Sequence, residues 1–151
     1  MTHYQGTEAQ ERALDTYIKL MRASDTLTAR IKRLLAKENL TLSQLGVLEA
    51  LLHLGPLCQT DIGAKLLKSS GNVTTVVDNL EKRALVRRQR DPEDRRYVTV
   101  HLTPSGRALI AEYFPRHVGQ IATIMGALDP EEQAILGRLC RKLGLANAPG
   151  G

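Results

Sequence analysis

Arg87, Arg88, Arg90, Arg95 and Arg96 crowd around four turn-forming residues, Asp91, Pro92, Glu93 and Asp94. A guanidinium is a rigid fork of N–H donors that matches phosphate oxygens, so this density on one short segment asks for a polyanion rather than for a plain surface turn. Just upstream, Ser70, Asn72, Thr74, Thr75, Asp78 and Asn79 alternate with Val73, Val76, Val77 and Leu80. On a helix that spacing gathers the aliphatic side chains into one stripe and leaves the hydroxyls and amides facing outward. Such a face suits the DNA major groove, where Asn pairs with adenine edges and Thr reaches bases, phosphates or a thymine methyl. Ser70, Asn72, Thr74 and Thr75 are the candidate readers; the competing view is an ordinary solvated helix face. Gly71 lets a phosphate approach the backbone, although an exposed first turn also tolerates glycine.

The arginines need strands to hold them. Residues 85–90 and 96–102 read as an antiparallel pair, with Val98, Val100 and Leu102 inward and Tyr97, Thr99 and His101 outward. Arg87 suits either side. Before the pair come four helices. The first spans about residues 8–36, with Leu14, Tyr17, Ile18, Met21, Leu27, Ile31, Leu34 and Leu35 at mostly three- and four-residue steps. Thr41 and Gln44 form a capping box for the second, which Gly55 and Pro56 end. Cys58 stands at the cap of a third that carries Ile62, Leu66 and Leu67, and Ser69 or Ser70 caps the fourth. After the strands, Thr103 and Pro104 begin a fifth helix to about residue 127. Asp129, Pro130 and Glu132 begin the last, expected to stop at Gly144.

Composition narrows the chemistry. The chain has 151 residues, 42% of them hydrophobic, and a net charge of +5, which fits one compact domain or a subunit that buries its end helices on a partner. Charge alone leaves DNA, RNA and anionic membrane open. Cys58 and Cys140 show no metal-ligand spacing, and His3, His53, His101 and His117 are scattered. No phosphate loop, nucleophile elbow or carboxylate pair occurs, so neither an enzyme nor a bound metal or cofactor is expected. There is no apolar run of about 20 residues and no signal-peptide centre in MTHYQGTEAQE; a soluble cytoplasmic chain without membrane contact is expected.

Asp94, Arg96, Val100, Leu102 and Thr103 fit the pattern DxRxxxVxLT, and the segments NLTLSQLGVLEAL and LTPSGRAL flank it in order. In these segments the chain resembles the MarR family of winged helix-turn-helix transcription regulators, over nearly its whole length. The resemblance implies a mainly α fold with a small β-wing: six helices, a two-stranded hairpin, and a homodimer built through the terminal helices. Residues 1–36 and 104–151 would then form the dimerisation helices and residues 37–103 the DNA-binding lobe. It also implies that Arg96 enters the minor groove with its side chain fixed by Asp94, while Arg88, Arg90 and Arg95 lie along phosphates; the pair could instead only staple the hairpin tip. The implied function is a repressor on double-stranded DNA at a pseudo-palindromic operator, with half-sites about 10 bp apart. Release would come from a phenolic or other aromatic effector.

Tyr17, Met21, His53, Tyr113 and His117 are candidates for that ligand's cleft, each also explicable as helix packing. Cys58 offers another route, because a helix N-terminus favours thiolate, the form that oxidants and electrophiles attack. Relatives that sense oxidants carry a cysteine near the start of the first helix, and this chain has none there. Sequence-indifferent DNA coating or protein contact through the winged helix are the remaining alternatives. Ala84 departs from the family, which usually has glycine between recognition helix and wing. If φ is positive there, alanine costs on the order of 1 kcal/mol.

Overall fold

The computed structural model describes residues 3–66 and 70–150, with only the backbone at positions 70 and 71. Leu67 and Ser69, expected at a helix end and a cap, lie outside the described residues. The described elements are α1 (Glu8–Ala36), α2 (Leu42–Leu54), β1 (Leu57–Cys58), α3 (Gln59–Leu66), α4 (Ser70–Lys82), β2 (Val86–Arg90), β3 (Val98–Leu102), α5 (Pro104–Met125) and α6 (Pro130–Ala146). The chain divides into two compact units, residues 1–111 and 112–151.

In the first unit α2 is the central helix. A reciprocal box starts it: Thr41 Oγ1 accepts the Gln44 N–H and the Gln44 side chain accepts the Thr41 N–H, both at 3.1 Å. Leu45, Val47, Leu48, Ala50 and Leu51 are buried along it, and Gly55 ends it at φ 78°. Around α2 the core continues through Leu35, Ile62, Val73, Val77, Leu80, Val86, Val100 and Ile110, all fully buried. Each such aliphatic side chain stabilises the fold by roughly 1.5–3 kcal/mol relative to exposure. In contrast, α1 buries only Ile31 and Leu35 near its end.

The expected hairpin has a third strand. β1 pairs with β3 (Leu57 opposite Val100, Cys58 opposite Thr99), giving an antiparallel sheet in the order β1-β3-β2. A two-residue strand carries no periodicity, so nothing in the pattern announced it. Cys58 therefore closes a strand and immediately precedes α3. The hairpin strands are also shorter than expected, because Leu85 lies in the turn that closes α4 and the hairpin turn extends to Tyr97.

Two helix ends share one device. At the end of α4, Leu85 N–H donates to Leu80 O (3.0 Å) and Ala84 N–H to Glu81 O (2.9 Å); at the end of α1, Leu40 N–H donates to Leu35 O and Asn39 N–H to Ala36 O (both 3.1 Å). These are Schellman closures, which place one residue in the left-handed region. Asn39 occupies it at φ 56° and Ala84 at φ 58°. Arg83 Nη1 donates to Asn39 O at 2.6 Å, tying the two turns together. Asn tolerates this conformation, whereas alanine is strained by its Cβ. Ala84→Gly is therefore expected to stabilise the protein by about 1 kcal/mol, raising the melting midpoint by about 2–4 °C. Calorimetry that found the glycine variant less stable would refute that strain.

Thr103 clasps this closure from the next element. Its hydroxyl donates to Ala84 O (2.6 Å) and accepts the Gly106 N–H (3.0 Å), while its own N–H donates to Leu85 O (3.1 Å). That is the N-cap expected at the start of α5. The helix ends at Met125, two residues early, in a turn where Leu128 N–H donates to Met125 O. Pro115 lies inside α5; lacking an N–H, it cannot donate to Ala111 O, next to the boundary between the units in the sequence. Asp129 and Glu132 form the box of α6, which runs through Gly144 to Ala146. Asn147 stops it instead, its Nδ2 donating to Leu143 O at 2.9 Å. The α6 side chains Leu136, Leu139 and Leu143 lie exposed within the chain, as does Cys140.

Candidate nucleic-acid interface

The face opposite the buried stripe of α4 is polar. Val73, Val77 and Leu80 are fully buried, and Asn72, Thr74, Thr75 and Asn79 are exposed. Ser70 and Gly71 begin the helix, and the Ser70 side chain lies outside what the structure describes. Asp78, expected outward with the others, is only half-buried and is spoken for: its carboxylate meets Arg88.

The wing is folded by its own side chains. Asp91 Oδ1 accepts the Glu93 N–H at 2.8 Å, and Asp91 N–H donates to Tyr97 O at 2.9 Å, which together reverse the chain. Asp94 then brackets Arg96. It accepts the Arg96 backbone N–H (3.1 Å), Nε–H (2.9 Å) and Nη2–H (2.7 Å). The Arg96 side-chain and backbone donors hold the Asp94 carboxyl below the usual carboxylate range, and the guanidinium is held above its own. The bracketed side chain is still 87% exposed. A guanidinium fixed on one edge and open on the other is pre-organised for an anionic groove.

Arg90 and Arg95 are exposed, and Arg90 Nη1 donates to Arg95 O at 3.0 Å. Arg87 points outward and donates to Gln89 Oε1 at 2.7 Å. On the same side of the sheet, burial and then the Arg87 charge push the His101 ring's pKa down. Arg88 behaves differently. Only 22% of its side chain is exposed, with Nη2 at 2.7 Å from Asp78, Nη1 at 3.1 Å from Glu81 and Nε donating to Gln59 Oε1 at 3.0 Å. Gln59 Nε2 in turn donates to Thr74 Oγ1 at 3.0 Å. The phosphate role expected of Arg88 thus falls on a group already held by two carboxylates. Gln59, Asp78 and Glu81 complete this cluster around Arg88, and its mark in the sequence is the pair of acids on α4 just ahead of a basic hairpin.

Between wing, α3 and α4 lies an open groove of about 720 Å3. Cys58, Gln59, Asp78, Arg88, Arg90 and Arg96 are among its lining residues. Of the expected ligand residues, Tyr17 and Met21 lie exposed on α1, and exposed His53 sits with Nδ1 3.0 Å from Glu49 O. In the second unit Tyr113 is buried and donates its hydroxyl to Gln120 Oε1 (3.2 Å), with the His117 ring 6.1 Å away and Arg116 over its face. Tyr113 and His117 are thus brought together. Among the described residues no group of three potential metal ligands occurs, and no helix is long and apolar enough to cross a membrane.

A polar helix backed by a helical core, followed by a basic hairpin, defines a winged helix-turn-helix. The sequence profile of the MarR family matches residues 40–98. The transcriptional regulator YkoM of Bacillus subtilis (strain 168) is 36% identical over 138 residues, 91% of this chain and 90% of that protein. The solved structure of Bordetella bronchiseptica BpsR, whose DNA binding is regulated by 6-hydroxynicotinic acid, superposes with a TM-score of 0.77. It is 33% identical and covers 86% of this chain and 98% of that one. The structure of S. aureus MepR bound to DNA also gives 0.77, at 25% identity over 86% and 96% of the two chains. The chain belongs to the MarR family of transcriptional regulators, which are not enzymes.

Proposed function

We propose that this protein is a homodimeric repressor that binds a pseudo-palindromic operator and is released from it by a small aromatic molecule. The observation that carries the DNA reading is the exposed Arg96, braced by Asp94, beside the polar face of α4. In this reading Asn72, Thr74 and Thr75 address base edges in the major groove and Ser70 and Gly71 lie at the phosphates near the helix start. Arg90 and Arg95 follow the backbone, and Arg96 enters the minor groove. The lobe is formed by residues 37–103, and residues 1–36 and 104–151 pair with a second copy. Exposed Leu136, Leu139 and Leu143, at three- and four-residue steps on α6, support that pairing. BpsR's response to 6-hydroxynicotinic acid supports an aromatic effector. Tyr17, Met21, His53, Tyr113 and His117 are the residues to test for its site.

Selection of bound sequences from random duplex DNA at physiological salt tests the reading. An inverted repeat with half-sites about 10 bp apart is expected. No enrichment by folded protein would favour sequence-indifferent coating or protein contact instead. On the selected duplex, Asn72→Ala is expected to cost about 1–3 kcal/mol and relax preference at one base position, whereas Arg95→Ala should weaken all sequences alike and lower the salt slope by about one. Identical losses on every duplex from both variants would defeat that division.

A second reading rests on Cys58, half-buried and lining the groove with Arg90 and Arg96. An adduct on its thiol would occupy space beside the wing. If this is the trigger, Cys58→Ser abolishes release of the selected duplex by a quinone or peroxide and leaves binding intact.

A further inference from the structure

The ion pairs and the Gln59 hydrogen bond of Arg88 join three elements, β2, α4 and α3. Arg88 lies on β2 opposite Val100 and shares a sheet face with buried Val86. From there its guanidinium reaches Asp78 and Glu81 on α4 and Gln59 at the start of α3. Its backbone N–H also donates to Glu81 Oε2 at 2.9 Å, and Nη2 approaches Thr74 O at 3.4 Å. One cation with two carboxylates leaves this cluster a local charge of −1, which repels a phosphate rather than attracting one. A fork held along both edges is, moreover, a fixed strut, because Arg presents its donors in one plane.

We infer that Arg88 is a positioning residue, which sets the angle between recognition helix and wing through Asp78, Glu81 and Gln59. The inference rests on the DNA-binding reading above. Gln59 extends the strut to Thr74 Oγ1, so that the same network orients a hydroxyl on the reading face. Asp78 and Glu81 thereby serve DNA binding although their charge opposes it.

The opposed signs make a test. Full-length wild type, Arg88→Lys, Arg88→Gln, Asp78→Asn and Glu81→Gln would be titrated with the duplex selected by wild type and with a random duplex, over a range of salt. Thermal melts would run alongside. Positioning predicts that Asp78→Asn, which removes a repulsive charge, nevertheless weakens the selected duplex by about tenfold, in the range of coupled networks, while binding random DNA at least as well as wild type. Arg88→Lys keeps the charge but not the fork, and should recover little of the loss seen in Arg88→Gln. The salt slope should stay at the wild-type value in each.

A direct phosphate contact predicts the reverse: Arg88→Lys close to wild type, Asp78→Asn binding every duplex more tightly, and a slope lower by about one in Arg88→Gln. Any of these overturns the inference. Where Arg88→Gln fails to fold, the isosteric carboxylate variants decide alone. Wild type that enriches no sequence overturns the DNA-binding reading and this inference with it; wild type that enriches an operator while Arg88→Lys matches it overturns only the inference.

Discussion

Arg96→Ala is expected to weaken binding to the selected duplex by about tenfold, ~1.4 kcal/mol, with no change in melting temperature. The two parts of that expectation have separate causes. With 87% of the side chain exposed and its partner Asp94 at the surface, removal opens no cavity and strands no buried charge. Exposed ion pairs of this kind contribute little to stability. Binding is another matter, since Asp94 has already fixed the χ angles that a free arginine would have to order on entering a groove. Loss should be greatest where A·T-rich sequence narrows the minor groove and deepens its negative potential. Asp94→Ala should fall between, leaving the charge but freeing it to move. Because Arg96 lowers the pKa of Asp94, the bracket is complete above the ordinary carboxylate range and is lost only as pH falls through the lowered value; affinity should not vary between about pH 6 and 8 on this account. Unchanged affinity of Arg96→Ala at physiological salt would remove the wing tip from the mechanism.

What the sequence made legible was what is decided within a few residues. The capping boxes at Thr41 and Asp129 and the Thr103–Pro104 helix start each depend on side chains one to three positions apart and formed as expected, and the Asp94–Arg96 contact that the family resemblance implied is present too. The doubt over Ala84 was equally local, and its φ of 58° settles it. Arg88 shows where such reasoning stops. Among five arginines of similar appearance, the one that turns inward is chosen by strand register, and register depends on which residues oppose it. Had Val100 been placed against Arg88, parity would have set Arg88 on the core side with Val86, and Arg87 and Gln89 on the other with His101 and Thr99. Likewise β1 exists only because α2 ends where Leu57 can pair with Val100. Helix α6 overran its glycine because Asn147 supplied a better stop, and an exposed helical glycine costs only about 1 kcal/mol.

Gly106→Ala should be the most damaging conservative change in the first unit, lowering stability by roughly 2–4 kcal/mol. Gly106 is buried in the first turn of α5, and a Cβ there would overlap the carbonyl oxygen of Leu85. The obstacle is backbone, not the movable end of a side chain. Nor can that backbone retreat, since Leu85 O accepts the Thr103 N–H, Leu85 N–H closes the end of α4 on Leu80 O, and Thr103 Oγ1 holds Ala84 O. The clash must therefore be relieved by breaking the clasp that joins the end of α4, the hairpin and α5, so on the proposed reading affinity for the selected duplex should fall along with the melting temperature. Ser105→Ala, one residue earlier and exposed, is the matched control, expected to stay within about 0.5 kcal/mol of wild type. Chemical denaturation of the pair separates the outcomes: equal midpoints would mean that the approach of α5 to Leu85 is looser than the hydrogen bonds around it require, and the clasp would lose its role in setting the wing.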